Sequence, residues 1–395
     1  MKTSKRNKLQ LAAFIIVALN CIIYGMYIRG SLEWRSLSPS DLNPYGGWSH
    51  LKAAFTDVSY RWRGITKGMA LTGAVTLTSL FAGRFLCGSI CPVGTLQDFM
   101  NHLGDRLGIK GYPIGFEKEK RLDYIKYGVL LLVMTLSIMG FGSLLAPYSP
   151  WLGLMNIFSG LATFSGIAVV GIIGLASLFT KRIFCRFLCP LGAYQSLVSA
   201  LGLWSIKTQA ECKTCTYCLK DCPVEIRAGI KGEIPPECVC CMKCVESDCI
   251  KDPDGFRVYL GKRRIGTGTY LALGLAILLM SFSLLPLVGS EGKTGWTTAS
   301  LSLQDGSYIG VGTGFAGRML ADITIQDGRI DSITIREHRE SSGYYEEVFK
   351  GMGREILQGQ NIDVDTVSGA TATSRGYLNA VRNGISQSME KRTGE

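Results

Sequence analysis

Histidine is nearly missing from this chain of 395 residues: there are three, His50, His102 and His338, and none lies in an apolar run. A transmembrane haem held by paired histidines is therefore excluded. Cysteine is absent from the last 146 residues, yet all of the fourteen except Cys21 fall from position 87 to 249 in short, regular spacings. Such spacing suits metal ligation and not a disulfide framework. Charge is scarce too, at 18% against 47% hydrophobic residues and a mean hydropathy of +0.21, which excludes a disordered chain or an ordinary soluble one. Acidic residues are thin before position 290: residues 1 to 289 carry 31 Lys+Arg and 17 Asp+Glu, whereas 290 to 395 carry 11 and 14. The basic excess sits at the ends of apolar segments, where membrane topology requires it, so no nucleic-acid partner is expected and the two portions face different compartments.

Five apolar stretches, near 9 to 28, 69 to 86, 127 to 146, 161 to 179 and 267 to 288, approach the roughly 20 helical residues that a hydrocarbon core demands. The first follows Lys2, Lys5, Arg6 and Lys8, is too long for a signal-peptide core and lacks a small-residue cleavage site, so it reads as a retained anchor. Lys and Arg collect at the N-terminus and in 87 to 121 and 181 to 264, but are absent from 147 to 158, which puts the N-terminus inside and the C-terminus outside. Arg35, Lys52, Arg61 and Arg63 run against that rule, and Trp48 to Trp62 reads as an interfacial amphipathic stretch.

The chain repeats itself. Arg84-Phe-Leu-Cys87-Gly-Ser-Ile-Cys91-Pro92-Val-Gly94-Thr-Leu-Gln97 returns 98 residues later as Arg182-Ile-Phe-Cys185-Arg-Phe-Leu-Cys189-Pro190-Leu-Gly192-Ala-Tyr-Gln195, each copy at the inner end of an apolar span. Cysteines four apart on a helix share a face, and two such faces could supply Cys87, Cys91, Cys185 and Cys189 to one further redox centre. A dithiol pair or simply packed thiols are the alternatives. Cys21, alone in the first span, reads as a core residue.

Between the fourth and fifth spans lies Cys212-x2-Cys215-x2-Cys218-x3-Cys222-Pro223, then Cys238-x2-Cys241-x2-Cys244-x4-Cys249. Three closely spaced thiolates hold one 4Fe-4S cubane and the fourth crosses to the other, giving Cys212, Cys215, Cys218 and Cys249 for one cluster and Cys238, Cys241, Cys244 and Cys222 for the second. The second run is irregular, and the surplus Cys240 could replace a ligand. A zinc ribbon is the competing assignment.

The C-terminal hundred residues are soluble and mixed α+β. A strand opens at Asp305-Gly306, a hairpin of 319 to 326 and 329 to 335 turns at Asp327-Gly328, and a helix is expected over 344 to 357. Gly312-x-Gly314-x-x-Gly317 leads into a strand, so the dinucleotide reading fails and glycine-rich turns explain it better. Asp365-Thr-Val-Ser368-Gly369-Ala370-Thr371-Ala-Thr373-Ser374 precedes a helix with Leu378, Val381 and Ile385 on one face. It is a phosphate-site candidate by physics, or an ordinary Ser/Thr N-cap.

Val367-Ser-Gly-Ala-Thr-Ala-Thr-Ser374, with the Asp-Gly hairpin and His338-Arg-Glu340-Ser341-x-Gly343, resembles the FMN-binding domain family of the flavin subunits of sodium-pumping quinone reductase and Rnf complexes. The resemblance implies FMN joined through its phosphate to Thr371 by an extracytoplasmic flavin transferase, with Ser368, Gly369, Ala370, Thr373, Ser374, Glu340 and Ser341 around it. Where that family often has Glu-Thr-Pro-Gly, this chain reads Glu340-Ser341-Ser342-Gly343. The first 265 residues, with Asn43-Pro-Tyr-Gly-Gly47, the paired Cys-x3-Cys-Pro motifs and the ferredoxin run, resemble the NapH/NosR-type membrane polyferredoxins.

The expected architecture is thus an α-helical membrane protein of about five spans with an inserted bacterial-type two-cluster ferredoxin module and a C-terminal α+β FMN-binding domain. It divides at 1–204, 205–262, 263–289 and 290–395. The expected role is transmembrane electron transfer, from a quinol or a cytoplasmic ferredoxin or flavoprotein to an extracytoplasmic redox acceptor. A redox sensor or maturation factor for a respiratory reductase, or a structural adaptor, is the alternative. About 30 Å of hydrocarbon is too far for one electron hop, so an intermediate centre is needed.

Overall fold

The computed structural model describes residues 5–29, 31–32, 34, 36–39, 41–49, 67–109, 122, 124–139, 141–208, 222–226, 234–246, 256–288, 303–315, 317–340, 345–362, 364, 367 and 370–390. Helix α1 (Lys5–Ile28) spans about 36 Å at 1.5 Å per residue, enough to cross a bilayer. Its apolar residues are largely outward-facing, while Arg6 and Gln10 are buried near its start. Helices α2 (Lys67–Ala82), α3 (Phe85–Ser89) and α4 (Pro92–Arg106) form the first copy of the repeat. Helices α5 (Ile125–Met139) and α6 (Pro150–Ser159) lead to the second copy, α7 (Phe164–Phe179), α8 (Ile183–Phe187) and α9 (Pro190–Ala200). Strand β1 (Trp204–Lys207) pairs antiparallel with β2 (Arg257–Leu260), and β2 with β3 (Arg263–Ile265), closing a small sheet at the two ends of the cysteine-rich segment. Helix α10 (Thr267–Val288) follows and packs on α2.

Among the described residues two helices are long and apolar enough to cross a membrane, α1 and the Thr267–Leu285 part of α10. Helices α6 and α7 pass that test only as a pair bent by 113°, and α5 is apolar but short. Among the described residues the expected set of about five spans appears as two full-length helices, one bent pair and shorter helices. The bend has a local cause: Gly160 caps α6 at φ +73°, and the Thr163 hydroxyl accepts the Gly166 N–H at 3.2 Å to start α7. The stretch 147 to 158, expected as a loop, is mostly α6, which Pro150 opens at its first turn. Trp48, expected at an interface, is buried edge-on between Tyr45 and Tyr194; the rest of that stretch, 50 to 62, lies outside the described residues.

In the C-terminal portion, β4 (Gly306–Thr313), β5 (Arg318–Gln326) and β6 (Arg329–Glu337) form an antiparallel sheet in that order. Asp327 and Gly328, at φ 51° and 66°, make the tight β5–β6 turn that the sequence signals. A helical stretch from 345 contains a π-helical turn, Glu347–Met352, and runs on as α11 (Gly353–Gly359). Helix α12 (Thr371–Glu390) lies along β4 and β5. Met319, Ala321, Ile323 and Ile325 alternate inward on β5 against Val348, Met352 and Ile356, and against Leu378, Val381 and Ile385 of α12. Burial of each such large side chain contributes roughly 1.5–3 kcal/mol.

The glycine pattern here has a different cause from turns. Gly310 and Gly312 lie within β4, and a Cβ on them would stand 1.9 Å from the Ala380 carbonyl oxygen and 2.0 Å from that of Gly376. At these two positions β4 carries no side chain, and α12 rests on its backbone. Gly314 and Gly317 fit the expected turn role: the Gly314 N–H donates to the Gly317 carbonyl at 2.8 Å between β4 and β5, and Gly317 takes φ +126°.

Candidate metal and cofactor sites

Cysteines 87, 91, 185 and 189 line one cavity, together with Tyr45, Arg84, Val93, Pro150, Trp151, Phe184 and Leu191. All four thiols are buried. The convergence anticipated from the repeat therefore exists, but its geometry differs from two cysteines on one continuous helix. Cys87 and Cys185 sit inside α3 and α8, whereas Cys91 and Cys189 are extended, at φ −56°, ψ 117° and φ −71°, ψ 111°, and cap α4 and α9. The following proline disfavours the α conformation at the second cysteine, so the chain turns there and starts a new helix. Each unit thus presents one thiol from the end of a short helix and one from the head of the next.

The two copies exchange their other repeated residues. Gln97 of the first donates from Nε2 to the Cys185 sulfur of the second at 3.1 Å, and Gln195 of the second meets the Cys87 sulfur of the first at 3.4 Å. Arg182 reaches back to the Cys87 carbonyl at 3.0 Å and lies over Gly94, while Arg84 lies over Gly192. The Gln97 bond, with sulfur as acceptor, is of the kind an anionic sulfur centre uses. With Cys87 as a thiol, Gln195 accepts through Oε1 and its buried Nε2 is left without a partner. Rotation of the amide would turn that N–H onto a thiolate sulfur, matching Gln97. Four soft donors, an amide poised on each side and a buried cation fit an iron–sulfur centre. Among the described residues no three potential ligands close on a single metal ion; a cubane instead takes one thiolate at each of four separated irons.

Below this cavity lies part of the ferredoxin run. Cys87 shares an apolar cluster with Val224, Val239, Cys241 and the flanking Cys222, and Gly88 fits only because a Cβ would stand 2.0 Å from the Val239 carbonyl oxygen. Cys238 accepts the Cys240 N–H at 3.3 Å, and the sulfurs of Cys222 and Cys241 accept the N–H groups of Val224 and Lys243. Such N–H cradles favour thiolates. Burial pushes the Cys222 thiol up to about 12 against those bonds, while hydrogen bonding from Cys240 draws Cys238 below its ordinary value. Cys240 is buried with Cys238 among Phe85, Trp204 and Tyr270, and burial pushes its thiol well up. Cys244 is half-buried on the same short helical turn, Lys243–Glu246. Cys212, Cys215, Cys218 and Cys249, the whole ligand set assigned to the other cluster, lie outside the described residues.

The C-terminal candidate site gathers Thr373, Ser374 and Glu340, all buried. The Thr373 hydroxyl donates to Glu340 Oε2, and Ser374 Oγ accepts the Val367 N–H at 3.0 Å, folding the motif back onto the first turn of α12. Ala370 adds a backbone bond to Val367 at 3.0 Å. Thr371 opens α12, but its side chain, like Ser368, Gly369 and Ser341, lies outside what is described. Beside the motif stands an aromatic column of His338, Tyr345, Phe349 and Tyr377, with centroid separations of 4.4 Å, 5.3 Å and 5.7 Å along it. Burial pushes the Tyr377 hydroxyl up, and no partner relieves it. A cleft edged by Arg318, Arg336, His338 and Arg339 opens next to Glu340.

This domain also touches α1. The Tyr24 hydroxyl donates to Glu347 at 3.0 Å, and the Arg354 guanidinium stacks 4.7 Å over the Tyr27 ring while bonding to the Tyr27 carbonyl. From the cavity toward that contact, Trp151 and Met155 are one turn apart on α6, and Met155 meets the Cys21 sulfur at 3.5 Å. Sequence reading singled out the cysteines but missed Arg84, Arg182, Gln97, Gln195 and Asp98, the partner of Arg182. The repeat carried the signal, since it preserves the arginine and glutamine as faithfully as the thiols.

Comparison with known proteins bears on both regions. A family described as a 4Fe-4S binding domain matches residues 65–110 and 161–208, which are the two Cys-x3-Cys-Pro units, and one described as an FMN-binding domain matches 314–386. An uncharacterized protein of Methanocaldococcus jannaschii is 31% identical over 191 residues, 48% of this chain and 78% of that protein. The ferredoxin-type protein NapH of Haemophilus influenzae is 25% identical over 264 residues, 56% of this chain and 87% of NapH. The regulatory protein NosR of Pseudomonas aeruginosa is 31% identical over 171 residues, 42% of this chain but only 24% of NosR.

Proposed function

The chain belongs to the NapH/NosR-type polyferredoxin family, extended by a C-terminal FMN-binding domain, and on that premise we propose that it conducts electrons across a membrane. The observation that carries the proposal is the convergence of Cys87, Cys91, Cys185 and Cys189 on one cavity, with Cys87 in turn packed in a cluster with Cys222 and Cys241. In this reading the two-cluster module of 205–262 receives single electrons on the cytoplasmic side, from a ferredoxin, a flavoprotein or a quinol. The four-cysteine site holds a third iron–sulfur centre and supplies the intermediate stop that the hydrocarbon thickness demands. FMN, joined to Thr371 by a flavin transferase on the far side, would pass electrons to an external acceptor in one- or two-electron steps.

The chain's own residues supply burial, orientation and counter-charge. Gln97 and Gln195 direct amides at sulfur, Trp151 and Tyr45 seal the cavity, and Tyr24 and Arg354 hold the flavin domain to the end of α1. Nothing in the described residues resembles acid–base machinery for substrate turnover, so substrate chemistry belongs to a partner. The similarity to NosR, a regulatory protein by name, favours a second reading in which the same centres report redox state.

The test is to purify the full chain anaerobically in detergent and compare it with C185A by iron content and low-temperature EPR. Loss of one reduced-cluster signal and about a third of the iron in the variant is expected on a three-cluster count. An unchanged spectrum removes the four-cysteine centre and with it the conduit.

A further inference from the structure

The two repeats differ in one electrostatic respect. Arg182 is neutralised: its Nε and Nη2 bond both carboxylate oxygens of Asp98, at 2.6 Å and 2.7 Å, and Asp98 also takes Arg6 at 2.9 Å. The residue that follows the repeated glutamine in the other copy, in Asp98's place, is Ser196, whose hydroxyl donates to the Gly192 carbonyl at 2.9 Å. Among the described residues Arg84 therefore has no carboxylate partner. One nitrogen donates to the Glu237 carbonyl oxygen at 2.7 Å, and Nε and Nη2 are buried without a partner, although the side chain is only 2% exposed. Glu237 spends its own carboxylate on the Tyr127 hydroxyl. Of the two arginines, Arg84 is the one that lines the four-cysteine cavity.

A buried, half-satisfied guanidinium is too costly to hold without an anion. The candidates facing it are the four sulfurs. A cubane with a doubly positive core inside four thiolates is a dianion, and one electron makes it a trianion. We propose that Arg84 is the built-in counter-cation of the four-cysteine centre, a positioning residue that favours its reduced form. This rests on the iron–sulfur reading of that site. The step would be a one-electron reduction: an electron leaving the neighbouring ferredoxin module would pass to the four-cysteine site, and the fixed positive charge of Arg84 would offset the added negative one without a proton. The asymmetry between the repeats then has a purpose. An aspartate in both copies would leave the cavity without net positive charge.

The experiment is an EPR-monitored potentiometric titration of the full chain in detergent, with dithionite as reductant, following the signal that C185A removes. R84Q and S196D are the variants, the second giving Arg84 the partner that Arg182 has, and R84K keeps the charge. The expected result for R84Q and S196D is full iron with at least a tenfold lower reduced-to-oxidised ratio at a fixed poise, about 59 mV for one electron, while R84K stays near wild type and the other cluster signals do not move. If R84Q and S196D lose the cluster but R84K keeps it, the charge requirement is supported. An unchanged midpoint in iron-replete R84Q, or loss of the cluster in R84K as well, overturns the proposal. If C185A removes no signal, it is the iron–sulfur reading that fails.

Discussion

The flavin domain draws its core from one continuous stretch, with β5 alternating inward and α12 closing over it, whereas the thiol cavity collects Tyr45, Cys87, Trp151, Cys185 and Cys189 from segments as much as 144 residues apart. One is a local fold whose pattern lies in neighbouring residues. The other exists only because two copies of a unit face each other and trade side chains. Loss of a cofactor in one region should therefore leave the other intact. The sharpest form of that statement is T371A. The resemblance assigns Thr371 the flavin phosphoester, so the variant should lose all covalent fluorescence on a denaturing gel while its iron–sulfur absorbance is unchanged. A parallel fall in iron would mean that the two regions are built as one.

The same contrast explains what could be read in advance. The hairpin at Asp327-Gly328, the apolar face of Leu378, Val381 and Ile385, and the strand after Gly317 follow from periods of two and 3.6 residues and from turn chemistry, and the structure contains each of them. The meeting of four cysteines was legible only from the repeat. What stayed hidden depends on three-dimensional exchange: the bend between α6 and α7, the burial of Trp48, and the pairing of Asp98 with arginines at positions 6 and 182. Gly312 was misread as a turn residue because a strand position stripped of its side chain and a turn look alike without the helix that rests on it.

Asp98 sharpens the comparison from the membrane side. It lies on α4, outside the candidate spans, and joins α1 to both repeats through Arg6, Gln10 and Arg182. D98N should cost about 3–5 kcal/mol, because it strands two almost fully buried guanidinium groups. Guanidinium unfolding in detergent, followed by iron–sulfur absorbance, measures it, and flavin-domain melting should not change. Burial opposes ionisation of Asp98, but Arg182 and then Arg6 outweigh it and hold the carboxyl below the usual carboxylate range. A depressed pKa means that the contribution is complete above about pH 4 and is lost as the pH falls through the native value. The gap between wild type and D98N should therefore close in acid; a constant gap would point to packing instead of charge.

A smaller and opposite test acts on the flavin domain alone. In G312A the new methyl would meet the Gly376 carbonyl oxygen at 2.0 Å, and that oxygen belongs to helix backbone, which cannot swing aside as a side-chain tip can. Helix α12 must lift from β4. The expected cost is about 1–3 kcal/mol. It should appear as a lower melting temperature of the flavin domain, followed by flavin fluorescence, with the cluster EPR and potentials unmoved. Because Thr373 and Thr371 lie on the first turn of that helix, the lift should also slow flavin attachment, read as a lower flavin-to-protein ratio at a fixed expression time. If the ratio is normal and only the melting temperature falls, the close approach of strand and helix serves stability, and Glu340 with Ser374 suffices to hold the attachment turn.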